Sequence, residues 1–183
     1  MPDSPLDAVL QSAAAGEPSA LRRLYDEFAP AVLGYLRVRG ALEPEDLTSE
    51  VFLAVFTRLS TVSGGASGLR TLLFSVAHAR LVDDLRRRAR RGESVQFEAQ
   101  TDRRTSASAE DQALEAQSAT AVREVIGLLP DDQRDVLLMR LVGDLTVDQV
   151  AEVMGKSAGA VKQLQRRGLQ TLKARLSSSG VPL

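Results

Sequence analysis

The chain has 183 residues, of which 44% are hydrophobic, and it carries a formal net charge of −1. It contains no cysteine and one histidine, which excludes disulfide bonds, thiol catalysis and a zinc site built from cysteine or several histidines. No apolar run approaches the roughly 18 residues that cross a bilayer, and the N-terminus lacks a secretion signal, so we expect a cytoplasmic protein without membrane insertion.

Helical periodicity dominates the first half of the chain and predicts a helical bundle. A short helix is expected over residues 4–15, since Gly16 is a natural end point. A second helix starts at Ser19 and should kink or break at Pro30, because proline removes a backbone hydrogen bond. A third helix opens at Pro44, because proline is tolerated at the first helical position.

The third helix combines acidic and apolar side chains in its first turns. Asp46 and Glu50 are four residues apart and therefore share a helix face, beside the apolar Leu47, Val51 and Leu53. Acidic residues in a first turn can also be explained by the helix dipole alone. An acidic and apolar face of this kind suits docking onto a basic protein surface.

Glycine and serine dominate residues 60–68, which predicts a loop before a long fourth helix over residues 69–91. The loop lacks the Walker pattern, and no strand precedes it, so a plain connector is the alternative to a phosphate site. Residues 86–91 contain a dense run of arginines, which stabilises a helix C-terminus and also favours an anion such as phosphate. His78 has no accompanying nucleophile or acid, so we expect no enzyme active site.

Periodicity is lost over residues 92–113, which predicts a flexible acidic linker. Residues 92–119 carry two basic and six acidic side chains, whereas residues 120–183 carry nine and seven. The sequence therefore predicts an all-α fold of two small helical domains, 1–91 and 114–183, joined by this linker.

The second domain begins with an expected helix over residues 114–129 and contains a helix-turn-helix pattern. Thr146 is a natural N-cap for a short helix, and Gly155 permits the left-handed conformation that ends it. Ser157 can cap the following helix, and the last residues, 177–183, are expected to form a loose tail.

The helix after Ser157 is apolar on one side and cationic on the others. Its apolar positions are Val161, Leu164, Gly168, Leu172 and Leu176. Its exposed polar positions are expected to be Lys162, Gln163, Arg166, Arg167 and Lys173. Two short helices with a glycine turn and a basic second helix fit a DNA major groove, although a purely structural helical hairpin has the same spacing.

Three segments, in this order, resemble extracytoplasmic-function sigma factors of bacterial RNA polymerase. They are EDLTSEVFLAVFTRL, LRTLLFSVAHARLVDDLRRRARR and LPDDQRDVLLMRLVGDLTVDQVAEVMGKSAGAVK. The resemblance covers both predicted domains. It implies a factor that binds core RNA polymerase and promoter DNA and that has no cofactor or metal of its own.

The resemblance also implies a role for particular residues. Docking onto polymerase falls on Asp46, Leu47, Glu50, Val51 and Phe52. Contact with the −10 element falls on Gly64, Gly65, Ser67, Arg70, Leu72, His78, Arg80, Arg86, Arg87 and Arg90. Contact with the −35 element falls on Ser157, Gly159, Ala160, Lys162, Gln163, Arg166 and Arg167. An anti-sigma partner is implied as well, and the linker would thread the polymerase channels.

Two departures from the family pattern stand out. Leu72 replaces a usual tryptophan and Ala79 a usual asparagine, so melting of the promoter would rely on a base captured by the preceding loop. Leu164 stands where an arginine often lies and Gln165 where a core leucine lies, which suggests that the apolar seam has moved by one residue.

Two other interpretations remain open from the residues alone. One is a self-sufficient helix-turn-helix regulator with an N-terminal sensor or dimerisation module. The other is an interaction module without transcriptional activity. The modest local basic charge favours the sigma factor, because a solitary DNA binder normally carries a larger basic surface. The acidic and apolar face of the third helix also has a role only in a sigma factor.

Overall fold

The computed structural model describes residues 5–91 and 126–178, and all regular structure within those two ranges is helical. The expected all-α fold is therefore confirmed. The predicted linker, 92–113, and most of the helix predicted over 114–129 lie outside the described residues.

The first described range, 5–91, folds as a bundle of four helices, in which α2 packs against the other three. A short 3-10 turn, Leu59–Thr61, separates the third helix from the fourth. The helices are α1 (Pro5–Ala14), α2 (Pro18–Val38), α3 (Pro44–Phe56) and α4 (Gly65–Arg91).

Of the kink or break expected at Pro30, the break does not occur, because α2 continues through this residue from Pro18 to Val38. Pro30 is exposed, so the backbone carbonyl that it leaves unpaired can be hydrated. Phe28 and Val32, on either side of it, are buried in the core and stabilise the helix on both sides of this point. Tertiary packing therefore outweighs the local preference of proline here.

The fourth helix begins four residues earlier than the sequence predicts, at Gly65 instead of Leu69. Asp7 of α1 explains the early start, because its carboxylate accepts a 2.7 Å hydrogen bond from the backbone amide of Ala66. Gly65 has a positive φ of 60°, and a Cβ there would lie 2.3 Å from Asp7 Oδ1. The glycines of the predicted loop thus serve partly as a helix start that is capped from another helix.

The second described range forms three helices, with the last packed against the other two. They are α5 (Asp131–Leu141), α6 (Val147–Met154) and α7 (Ala158–Ser178). The tail predicted from residue 177 onward is wrong for Ser177 and Ser178, which belong to α7, and residues 179–183 lie outside the described residues.

The capping predicted for the helix-turn-helix is confirmed. Thr146 Oγ1 accepts a hydrogen bond from the Gln149 amide, and the Gln149 side chain accepts one from the Thr146 amide, which forms a capping box. Gly155 ends α6 with a left-handed φ of 60°. Ser157 Oγ accepts a 3.2 Å hydrogen bond from the amide of Ala160 at the start of α7.

The apolar side of α7 lies where the sequence places it. Val161 and Gly168 are buried, and Leu164 and Leu172 pack against the core. A Cβ at Gly168 would lie 2.8 Å from Leu137 Cδ1, so the glycine permits α5 and α7 to approach closely. Leu164 therefore occupies an inward position.

Candidate nucleic-acid interface

The outer face of α7 presents its polar side chains to solvent. Lys162, Gln163, Arg166 and Arg167 are all exposed. Gly159 is exposed and Ala160 half-buried, which leaves the first turn of the helix without bulky side chains. An open groove follows, lined by Lys162, Gln165, Arg166, Leu169, Gln170 and Lys173.

The residues predicted for docking onto polymerase divide into two groups. Asp46 and Glu50 are exposed on α3 and Leu47 is half-buried. Val51 and Phe52 are instead buried in the core, where the Phe52 ring lies 4.7 Å from that of Tyr25. A buried side chain cannot contact another protein directly, so these two residues support α3 from behind.

Two further residues lie at the surface of α3 that carries Asp46, Leu47 and Glu50, which is called the α3 surface below. Leu53 is 74% exposed, an unusual position for leucine, and it lies beside Glu50. Arg80 Nη1 of α4 lies 2.5 Å from Glu50 Oε2, so the predicted docking and −10 residues meet here. The Leu53 side chain is exposed because of its position on α3, and the sequence pattern already placed Leu53 on this face.

The arginines at the end of α4 do not all serve one purpose. Arg86, Arg87 and Arg90 are exposed, as a contact with phosphates requires. Arg88 is buried and its Nη1 donates a 2.7 Å hydrogen bond to the carbonyl oxygen of Gly40. The dense run therefore contains one structural arginine, which joins the end of α4 to the turn after α2.

At the start of α4, two of the predicted −10 residues contact the second half of the chain. The Arg70 guanidinium lies 2.8 Å from Asp144 Oδ2 and 5.6 Å from the centre of the Phe28 ring. Ser67 Oγ accepts a 2.8 Å hydrogen bond from Gln149 Nε2 of α6.

The remaining −10 positions in this part of the chain differ in exposure. Gly64 is exposed, Gly65 is half-buried, and Leu72 packs partly against the core. The Leu72 side chain is therefore only partly exposed, whereas an aromatic side chain that stacks on an unpaired base needs an exposed face.

His78 is the third predicted −10 residue that contacts the second half of the chain. It belongs to a polar cluster that lies between the two halves. The Tyr35 hydroxyl lies 2.8 Å from His78 Nδ1 and donates a 2.9 Å hydrogen bond to Asp135 Oδ1. Asp135 also lies 2.6 Å from Arg39 Nε, and Arg39 Nη1 donates to the Asp131 carboxylate at 2.9 Å. No local sequence pattern indicates Tyr35, Arg39 and Asp135, because their partners are distant in sequence.

The hydrogen-bond pattern fixes the proton positions in this cluster. The Tyr35 hydroxyl has one proton, which it donates to Asp135, so it accepts from His78 and the imidazole carries its proton on Nδ1. Burial raises the pKa of Tyr35 well above 10.0, and the neighbouring Asp135 carboxylate raises it further. Tyr35 is therefore a neutral donor at physiological pH.

Burial disfavours the charged form of both basic side chains in the cluster, His78 and Arg39, but the net change in pKa differs between them. Burial lowers the pKa of His78 below its ordinary value of 6.5, so the imidazole is neutral at pH 7. Burial is the largest single influence on Arg39 and lowers its pKa, but the neighbouring groups, Asp135 foremost and Asp131 among the others, together outweigh burial and raise the pKa of the guanidinium. The cluster therefore holds one buried cation against one buried anion.

Comparison with known proteins identifies the class to which this fold and surface belong. Two family models match the chain, Sigma-70 region 2 over residues 24–91 and Sigma-70 region 4 over residues 125–174. The fold and surface are therefore those of a sigma factor with two of its conserved regions.

Individual proteins of similar sequence show which group of sigma factors the chain belongs to. The chain is 34% identical over 182 residues to the ECF RNA polymerase sigma factor SigD of Mycobacterium tuberculosis, covering 96% of this chain and 85% of the relative. It is also 34% identical over 166 residues to the ECF RNA polymerase sigma factor BldN of Streptomyces coelicolor, covering 90% of this chain and 63% of that protein. The chain belongs to the extracytoplasmic-function sigma factors, which confirms the resemblance seen in its sequence.

A solved structure agrees with this fold. The structure of CnrH in complex with the cytosolic domain of CnrY matches with a TM-score of 0.65 at 21% identity, over 94% of this chain and 97% of that chain. As a sigma factor, the protein binds core RNA polymerase and promoter DNA and directs promoter-specific transcription. Within the described residues no helix is long and apolar enough to span a membrane.

Proposed function

We propose a division of labour between the two halves of the chain. Residues 1–91 bind polymerase and the −10 element, residues 114–183 bind the −35 element, and residues 92–113 connect them. The positions of the two family matches support these boundaries, because each match lies within one half.

The −35 element is read by the exposed face of α7. Lys162, Gln163, Arg166 and Arg167 supply donors for base edges and phosphates, while Ser157, Gly159 and Ala160 bring the start of the helix close to the DNA. The observation that supports this role most strongly is the exposure of all four long polar side chains on one helix of a capped helix-turn-helix.

Core polymerase is bound by the exposed part of the α3 surface, Asp46, Leu47, Glu50 and Leu53. Two carboxylates around apolar side chains suit a basic surface with an apolar centre. Val51 and Phe52 contribute by holding the helix in place.

The melted −10 element lies along α4 and the residues before it. Arg86, Arg87 and Arg90 contact phosphates at one end, and Arg80 lies between them and the start of the helix. Near that start, Gly64, Gly65, Ser67, Arg70, Leu72 and His78 form the remainder of the site. The chain acts without catalysis of its own, in the cytoplasm.

An anti-sigma protein is a further proposed partner. The structure of similar fold contains CnrH bound to the cytosolic domain of CnrY. Two neighbouring exposed apolar residues of the second half, Leu141 and Val142, offer a surface for such a protein.

Reciprocal variants test these assignments. Arg166→Ala should weaken binding of the holoenzyme to a −35 element by about fivefold to a hundredfold, since a bidentate arginine–base contact contributes about 1–3 kcal/mol. It should leave co-purification with core polymerase unchanged. The double variant Asp46→Arg, Glu50→Arg should lose co-purification.

Matched controls change the same charges elsewhere. Arg22→Ala removes an exposed arginine of α2, and Asp26→Arg with Glu27→Arg reverses two exposed carboxylates of α2. Loss of both activities in Arg166→Ala, or unchanged polymerase binding in the α3 variant, would contradict the assignments.

A further inference from the structure

We propose that Asp7, on the first helix, is a positioning residue for recognition of the −10 element. It acts through the backbone and does not contact DNA. Its carboxylate fixes the entry turn of α4, residues 63–68, so that this turn has one shape when an unpaired base arrives. The inference rests on the proposed assignment of Gly64, Gly65 and Ser67 to the −10 element.

The entry turn takes its helix cap from α1. Asp7 Oδ1 accepts a 2.7 Å hydrogen bond from the backbone amide of Ala66, 59 residues away. Most helices are capped instead by the side chain of the residue just before the first turn. In this chain that residue is Gly64, which has no side chain to offer. The position of α1 therefore determines how α4 begins.

The fit between Asp7 and the entry turn leaves no room for a side chain. A Cβ at Gly65 would lie 2.3 Å from Asp7 Oδ1 and 2.9 Å from Asp7 Cγ. The carboxylate therefore packs directly on bare backbone, an approach that only glycine permits. Asp7 thus holds two consecutive residues, Gly65 by packing and Ala66 by a hydrogen bond.

The rest of the entry turn is closed on itself. The Gly68 amide donates a 3.1 Å hydrogen bond to the Gly64 carbonyl oxygen. A Cβ at Gly68 would lie 1.7 Å from the Ser63 carbonyl oxygen, so the two ends of the turn are in close contact. Because the turn is this tight, fixing Gly65 and Ala66 also fixes the residues on either side of them.

The two sides of the entry turn have different surroundings. Asp7, Gly65 and Ala66 are half-buried where the turn meets α1, whereas Gly64 and Ser67 are exposed. The outer side carries proposed DNA contacts, while α1 supports the inner side. A surface that already has its bound shape loses less conformational entropy on binding. Asp7 should therefore strengthen recognition of the −10 element from behind the turn.

Holoenzyme assembled from core polymerase and the full-length chain tests this role. Transcription is compared between a promoter mapped with this holoenzyme and the same promoter with a randomised −10 element. Asp7→Ala should lower the ratio of the two signals about fivefold, because a helix cap contributes about 1 kcal/mol. An unchanged ratio would overturn the proposal.

Two control variants separate positioning from a general loss of charge or fold. Asp7→Asn should keep the wild-type ratio, because its amide oxygen can accept the same hydrogen bond. Asp26→Ala, which removes an exposed carboxylate of α2, should keep it as well. A loss in Asp7→Asn equal to that in Asp7→Ala would overturn the hydrogen-bonded role.

Two further assays should not respond to Asp7→Ala. They are co-purification with core polymerase and binding of the holoenzyme to a duplex that contains only the −35 element. Equal losses in these assays would overturn the proposal, because damage to the fold would then explain the lower ratio.

A double-mutant cycle tests the contact between Asp7 and Gly65. Gly65→Ala should lower the ratio in the wild-type chain, because the added Cβ displaces the carboxylate. It should lower the ratio less in the Asp7→Ala chain, where no carboxylate remains to be displaced. Strictly additive effects would contradict a role for this contact.

The double variant Ser67→Ala, Arg70→Ala separates failure of this inference from failure of the −10 assignment. If the double variant leaves the ratio unchanged, the assignment of these residues to the −10 element is wrong, and the role of Asp7 is wrong with it. If the double variant lowers the ratio and Asp7→Ala does not, the assignment stands and only the positioning role is wrong.

Discussion

At the scale of single residues, the stability of the folded chain depends on a few buried polar atoms. The Tyr35 hydroxyl is fully buried and connects His78 to Asp135. Buried polar groups of this kind contribute little while paired, but cost free energy once a partner is removed.

Removing that hydroxyl should therefore destabilise the chain. Tyr35→Phe leaves the ring in place and deprives Asp135 and His78 of a hydrogen-bond partner, so we expect the free energy of unfolding to fall by about 1–3 kcal/mol. Urea denaturation measures this change. Tyr25→Phe is the control, because Tyr25 is 38% exposed, and its substitution should have little effect. Equal losses in the two variants would contradict the role of the buried hydroxyl.

The histidine should make stability depend on pH. Since burial lowers the pKa of His78 in the folded chain, the unfolded chain takes up this proton first as the pH falls. The contribution is complete above the ordinary value of 6.5 and is lost as the pH falls from there through the lowered pKa. The charged side chains that act on His78 are Asp135 and Asp132 of α5, Arg39 after α2 and Lys156 after α6.

Urea denaturation between about pH 7.5 and about pH 5.5 measures this loss. His78→Gln, which retains a hydrogen-bond donor, should remove the part of the pH dependence that belongs to the imidazole. A pH dependence identical in both chains would contradict the assignment.

At the scale of helices, local signals were sufficient where the stabilising partner is close in sequence. The capping box of Thr146 and Gln149 spans three residues, and the end at Gly155 depends on one. The start of α4 could not be predicted in this way, because its cap, Asp7, is 59 residues away from Ala66. Likewise, Pro30 is accommodated by core packing that a local rule does not include.

The remote cap can be tested directly. Asp7→Ala should expose the first amides of α4 and cost about 1 kcal/mol, as the loss of a helix cap does elsewhere. Hydrogen exchange of residues 65–68 should accelerate while that of the centre of α4 stays slow. Asp26→Ala, an exposed change on α2, serves as the comparison. Unchanged exchange over residues 65–68 would show that Asp7 does not hold this end.

At the scale of the whole molecule, the sequence predicted an all-helical chain with two separate helical parts. It did not predict that the halves pack together, because Tyr35 and Asp135 are separated by 100 residues. One available signal was the apolar run from Val136 to Met139, which covers too much of the circumference of α5 for a helix with one buried side.

The packing of the halves separates the site residues into two groups. The polar residues of α7 and the acidic residues of α3 are exposed. Ser67 and Arg70 at the start of α4, together with His78, instead contact the second half.

Transcription in vitro tests the central claim most directly. Purified core polymerase with the chain would transcribe a library of genomic fragments, and the 5′ ends of the transcripts would be mapped. We expect discrete start sites preceded by a shared pair of −35 and −10 sequences, which Arg166→Ala loses and Arg22→Ala retains. An absence of promoter-specific transcripts, with a core enzyme that is active with another sigma factor, would contradict it.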